Sequence, residues 1–147
     1  MGKALFQICM GVLGSIGFAV LFGVVERRIL LWVSVGSAIG WAICLSASGG
    51  YAGLLLASLF CTAYSEVMAR FLKMPAIAML VPVLIPEIPG GDLYHTMSSL
   101  VHGEMSDFAL RSEQVLLEAG YIALGIILVS FAVAMIRSVS SVRSRKR

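Results

Sequence analysis

The sequence has 147 residues, of which 59% are hydrophobic and only 13% charged, and its mean hydropathy is +0.96. A water-soluble domain has about a quarter of its residues charged, so this composition excludes a water-facing globule and points to an all-α, polytopic integral membrane protein. The net charge of +3 does not mark a nucleic-acid binder, because four of the eleven basic residues fall in the last five positions, where they read as a topology anchor beside anionic lipid.

A hydrocarbon core about 30 Å thick is crossed by roughly 20 apolar residues in a helix, and the charge-free runs predict five such spans. The first covers residues 4–25 and ends at Glu26-Arg27-Arg28, a stop-transfer pattern rather than a signal-peptide cleavage site. The second covers 29–47, and Ser48-Gly49-Gly50 turns the chain into the third, 51–70. The fourth lies within 74–101 and is broken. A mixed, slightly acidic loop over 102–113 leads to the fifth span, 115–137. The chain thus reads as one transmembrane domain, 1–137, followed by a basic cytoplasmic tail, 138–147.

Basic residues favour the cytoplasm. With the C-terminus inside, Arg27, Arg28, Arg70, Lys73, Arg137, Arg143, Arg145, Lys146 and Arg147 are cytoplasmic and only Lys3 and Arg111 are outside, nine against two. The expected topology is therefore N-terminus out, C-terminus in. Cys9, Cys44 and Cys61 are odd in number and lie in apolar runs, so they read as small packing residues rather than disulfide partners. No Cys or His spacing resembles a zinc site, and no metal or cofactor is expected. Gly11, Gly14 and Gly17, and the Gly-x-x-x-Gly pair Gly36 and Gly40, allow close helix approach in lipid. Packing within the chain is the preferred reading for them, with a subunit contact as the alternative. Glu66 and Arg70 form an i,i+4 pair read as structural.

The fourth span carries the chemistry. Pro82, Pro86 and Pro89 precede Gly90 and Gly91, and proline removes a helix donor while glycine favours unwound backbone. A continuous helix is not expected through 86–91. The pieces on either side, 74–85 and 92–101, reach roughly 18 and 15 Å, so in series they put the break near the bilayer midplane. Unwound backbone at that depth must be buried in protein or reached by water, and transporters build substrate sites from such discontinuous helices.

A second half-helix starting near Asp92 would aim its free N–H groups into the membrane centre, an end suited to a carboxylate. Glu87 lies in the unwound segment, where a carboxyl is costly when charged and is a functional candidate able to bind and release a proton. His95 is three residues from Asp92, on the same helix face, and could relay protons. Plainer readings stand beside these. Asp92 can be an N-cap, Glu87 can be held by exposed amides, His95 can be a structural hydrogen-bonded histidine, and Tyr94 can be packing.

Ile85-Pro86-Glu87-Ile88-Pro89-Gly90-Gly91, followed by Leu93-Tyr94, resembles the proline-glycine signature of the threonine/serine exporter family. The likeness is to the compact C-terminal half of that transporter, which in many bacteria is a separate small protein. It extends over nearly the whole chain, through Gly17-Phe18-Ala19, Phe22 and the Arg27-Arg28 turn. The resemblance implies a bacterial inner-membrane subunit that works with a larger multi-span partner, with homo-oligomerisation a further option. It implies export of threonine and serine, or of a dicarboxylate such as succinate. The substrate site read from the broken span comprises Pro86, Glu87, Pro89, Gly90, Gly91, Asp92, Leu93 and Tyr94, with Glu87 and His95 as the proton-coupling candidates. Glu87 departs from the family's usual apolar residue at that place, which leaves the substrate open: an added carboxylate suits an amino group, or proton coupling. An intramembrane enzyme could be drawn from Glu87, Asp92 and His95, but the sequence has no nucleophile elbow, metal motif or paired-aspartate signature. A non-transporting assembly or scaffold protein is the other alternative.

Overall fold

The computed structural model describes residues 2–47 and 50–144. The expected turn at Ser48-Gly49 and the last three residues of the basic tail lie outside the described residues. The elements described are helices: α1 Gly2–Leu21, α2 Arg27–Ser46, α3 Tyr51–Leu72, α4 Ala76–Leu84, a 3-10 turn Ile85–Glu87, α5 Gly90–Val101 and α6 Met105–Ser144. Four of them (α1, α2, α3 and α6) are long and apolar enough to cross a membrane, and the α4–α5 pair, bent by 63°, makes a fifth if it counts as one broken span. The chain is thus an all-α multi-pass membrane protein with its fourth span broken.

Three of the helix ends use the left-handed region. Gly23 (φ 78), Lys73 (φ 55) and Gly103 (φ 77) follow α1, α3 and α5. Behind each, the next amide reaches back to the helix: Val24 N to Ala19 O, Met74 N to Ala69 O, and Glu104 N to Ser99 O. This is how orphan carbonyls at a helix end are satisfied. It also explains two departures from expectation. The first span stops at Leu21, four residues short, because Gly23 reverses the chain. The predicted outer loop over 102–113 is instead a tight turn at Gly103, after which α6 starts at Met105. Charged residues had marked that stretch as loop, but a helix tolerates them on an exposed face.

α3 is the hub, packing on α2, α4 and α6. Its seam with α2 is antiparallel and is closed by small residues. A Cβ added at Gly36 would run into the ring of Tyr64, one at Gly40 into Cys61, and one at Gly53 would lie 2.7 Å from the Cys44 carbonyl oxygen. Tyr64 in turn donates its hydroxyl to the Trp32 carbonyl at 2.7 Å. Of the glycines singled out from the sequence, Gly11, Gly14, Gly36 and Gly40 thus serve packing within the chain, as preferred, whereas a Cβ added at Gly17 would meet nothing within 4 Å. Beneath this seam lies the core of Ala19, Val33, Cys61, Met79, Leu80, Val83 and Leu84.

α6 runs parallel to α3. Tyr121 stacks on Tyr51 at 5.3 Å, Gly125 abuts Ser58, and Arg137 donates to Glu66 at 2.7 Å. The Glu66–Arg70 contact is longer, 3.9 Å, so Glu66 ties α3 to α6 more than it supports its own helix. At 40 residues, α6 is about 60 Å long, twice the hydrocarbon core. Because Tyr51 begins α3, residues 105–120 run beyond it, and there α5 is the companion helix.

Candidate functional site

The break follows from its three prolines. Pro82 sits inside α4, whose last helical residue is Leu84. The chain then tightens into the 3-10 turn, with Ile88 N donating to Ile85 O at 3.3 Å. Ile88 is extended (φ −68, ψ 125), and Pro89 (φ −75, ψ 58) caps α5 without a side-chain bond. The turn rests midway along α1: a Cβ at Gly11 would lie 3.0 Å from Pro86 Cβ, and one at Gly14 would lie 3.5 Å from Ile85. The break therefore sits at the level of the middle of a membrane-length helix, as the half-helix lengths required. The two halves are not collinear, however, and α5 leaves the bundle at 63° to pack on α6.

Glu87 is only 2% exposed. Cys61 Sγ on α3 donates to its Oε1 at 2.9 Å. Gly40 on α2 makes room for that oxygen, since a Cβ there would come within 2.8 Å of it. Oε2 has no partner. A buried carboxyl held by one weak thiol donor and otherwise unsatisfied is costly to fold.

Beside Glu87 opens a cavity of about 260 Å³. Its walls come from the break (Pro86 to Pro89), from α2 (Trp41, Cys44, Leu45), and from Leu54 of α3; Gln7 of α1, Asp92 of α5 and Glu118 of α6 add polar groups. Two further buried polar atoms in this wall lack partners, Trp41 Nε1 and Glu118 Oε2. Small-molecule sites of drug size occupy about 300–1,000 Å³, so this cavity suits a small metabolite. The first turn of α5 borders it: Gly90 N reaches Ile88 O and Leu93 N reaches Pro89 O, while among the described residues the Gly91 and Asp92 amides have no acceptor. Amides left free at a helix start attract an anionic group.

Of the residues expected from sequence, Pro86, Glu87, Pro89 and Asp92 line the cavity. Gly90 and Gly91, between the lining residues Pro89 and Asp92, are not themselves part of the lining. Leu93, Tyr94 and His95 do not reach it; Tyr94 is 71% exposed and stacks edge-on with His95 at 5.6 Å on the open side of α5. Two expectations are corrected. Asp92 is not the N-cap, because α5 starts two residues earlier, at Gly90, with Pro89 as cap. Gly90 and Gly91 are not needed for unusual backbone angles, since neither has positive φ; instead a Cβ on either would meet nothing within 4 Å. Sequence reading missed Gln7, Trp41, Cys44, Cys61 and Glu118 as site residues. Glu118 was the one with a visible signal, a carboxylate at the edge of a charge-free run; the others carried none.

A family model described as threonine/serine exporter, ThrE, matches residues 7–132 of the chain. Comparison with curated proteins and with solved structures gave no match.

Proposed function

This chain belongs to the threonine/serine exporter family, and we propose that it is the smaller subunit of a proton-coupled secondary exporter of small carboxylate-bearing metabolites. The substrate is threonine or serine, or a dicarboxylate such as succinate. The observation that carries this reading is the unsatisfied carboxyl of Glu87, buried at a broken helix beside a metabolite-sized cavity. In the proposed cycle the free amides at the start of α5 receive the substrate carboxylate, in the space next to Gly90 and Gly91. Glu87 takes up and releases the coupling proton; His95, which does not reach the cavity, is left without a part in this cycle.

The chain is expected to lie in the bacterial inner membrane, N-terminus out and C-terminus in. The start of α2 and the end of α3 lie at one end of the bundle with Arg137, so Arg27, Arg28, Arg70 and Lys73 share that end, in line with the positive-inside rule. A larger multi-span subunit is expected to cover the exposed side of α5 and α6, because the cavity is enclosed only in part by this chain. Efflux of threonine, serine and succinate from loaded cells, with and without this protein, tests the reading. Loss of efflux of one of these on deletion supports it. Unchanged efflux of all three refutes it, and transport by the purified chain alone in liposomes refutes the need for a partner.

A further inference from the structure

Basic residues gather at one end of the bundle, and only some of them meet an acid. All eight acidic residues of the chain are among those described. Glu26 and Glu66 lie at the end shared by Arg27, Arg28, Arg70, Lys73 and Arg137, and the other six fall between residues 87 and 118. Glu66 takes both ion pairs formed among the described residues, with Arg137 at 2.7 Å and Arg70 at 3.9 Å. Glu26 is exposed and pairs with neither Arg27 nor Arg28. Arg27 heads an apolar groove of about 330 Å³ between α1 and α2, lined by Ile16, Leu30, Leu31 and Ser34 besides Arg27 itself. From Arg27 to Ser34 the groove follows α2 for about two helical turns, or ~10 Å. The Ser34 hydroxyl is taken by the Leu30 carbonyl at 2.8 Å, so the wall below the guanidinium offers no unused side-chain donor. A hollow of about 350 Å³ at the same end, lined by Val67, Arg70 and Phe71 of α3, has a similar makeup, but its arginine stands 3.9 Å from Glu66.

We propose that the groove between α1 and α2 holds one phospholipid of net negative headgroup, its phosphate on Arg27 and an acyl chain along Ile16, Leu30 and Leu31. A guanidinium grips a phosphate through paired N–H groups, and an arginine stem can run along apolar surface while its head stays at headgroup level. The groove beneath supplies the apolar bed for the chain, and Leu31, 67% exposed, gives that bed an open side toward the bilayer. Charge selects the headgroup. A net negative one gains about fivefold for each basic residue near it, from Arg27 and from Arg28 next in the chain. A zwitterionic headgroup carries its own cation, which the two arginines repel. The Arg70 hollow does not qualify, because Glu66 already offsets its arginine and repels a phosphate. The proposal is independent of the transport reading and needs only that the chain lies in a bilayer.

The test is native mass spectrometry of the delipidated full-length chain, titrated with phosphatidylglycerol, with phosphatidylcholine of the same acyl chains, and with glycerol 3-phosphate, which has the phosphate but no chains. The expected result is a saturable one-to-one adduct with phosphatidylglycerol, at least about fivefold weaker binding of phosphatidylcholine, and no adduct with glycerol 3-phosphate. Arg27→Gln should weaken phosphatidylglycerol by about fivefold, whereas Arg70→Gln should leave it within about twofold, because the charge it removes is already offset. Ser34→Leu fills the groove without touching a charge and should weaken both lipids, with helical content unchanged. Phosphatidylcholine binding as tightly as phosphatidylglycerol would reduce the groove to ordinary acyl contact. Equal losses in Arg27→Gln and Arg70→Gln would assign the effect to the basic end as a whole. An unchanged affinity in Ser34→Leu would put the lipid elsewhere, and a glycerol 3-phosphate adduct as tight as the lipid's would make this a free phosphate site. Any of these four outcomes overturns the proposal.

Discussion

Along the seam between α2 and α3, Gly36, Gly40 and Gly53 each have a neighbour where a side chain would stand: the Tyr64 ring, Cys61 with Glu87, and the Cys44 carbonyl. At the start of α5, Gly90 and Gly91 have nothing within 4 Å. Fully buried apolar residues such as Val33, Met79 and Val83 lie among the first four helices, although the outer sides of α1, α2 and α3 also show apolar residues more than half exposed, among them Leu13, Leu31 and Phe71. Tyr94, Met97 and Val101 of α5 and Leu110 and Leu116 of α6 are exposed to the same degree. At the α2–α3 seam the small residues are accounted for by the chain itself. At the start of α5 they are not, so what they fit lies outside the chain: lipid, a ligand or another subunit.

The contrast can be broken most sharply with one substitution in each region. Gly53→Val places carbon 2.7 Å from a backbone oxygen that cannot swing aside, and should cost about 3 kcal/mol or more of stability, read as loss of folded protein in detergent unfolding. Gly90→Val meets open space and should stay within about 0.5 kcal/mol of the parent, yet abolish export. If Gly90→Val unfolds the chain instead, the open face is not what it looks like here. Next in size is Glu87→Gln, which keeps shape and hydrogen bonding but cannot titrate. Export driven by a pH gradient should vanish while exchange of substrate down its own gradient persists; an unchanged pH dependence would make Glu87 structural.

Smaller effects sharpen the boundary between the regions. Arg137→Met removes the 2.7 Å bond to Glu66 and should cost up to about 1 kcal/mol, as exposed pairs do. Arg70→Met, at 3.9 Å, should cost less, and the reverse order in thermal unfolding would contradict the view that Glu66 serves α6. Smallest for the isolated chain is Tyr94→Ala, which removes a 71% exposed ring and should leave its stability within about 0.5 kcal/mol. A partner seated on that face would turn the same substitution into a measurable loss of co-purification.

The spans were legible in the sequence because lipid imposes a crude rule, a minimum length of apolar residues, that charge-free runs display directly. The break was legible for a related reason: Pro86, Pro89, Gly90 and Gly91 oppose helix locally, whatever surrounds them. Glu87 stood out as a carboxyl in that break. Its setting did not, since Cys61 and Gly40 come from other helices and meet it only through packing. Trp41 was hidden likewise, as an ordinary apolar residue, whereas Glu118 was visible but only as the boundary of a span. The length of α6 was misread because polarity over 102–113 speaks of exposure, and an exposed helix and an exposed loop share that composition. Tyr94 and His95 belong with the motif in sequence but fall on the far side of α5, because the 63° bend turns that helix away from the cavity.

The way α5 is anchored also constrains how the protein can be made. α1 to α4 pack on one another, whereas the main contact of α5 is with α6, which is synthesised after it. With 12 residues, α5 reaches about 18 Å and is too short to cross a bilayer by itself. While the ribosome is still producing α6, the first four helices can already assemble, but α5 has nowhere to dock. It must wait in the insertion machinery or at the lipid surface until α6 arrives and the two enter together. Stalling synthesis before residue 105 would therefore leave a packed but incomplete bundle whose cavity lacks the wall supplied by Glu118, so the cavity is closed only once α6 has been made.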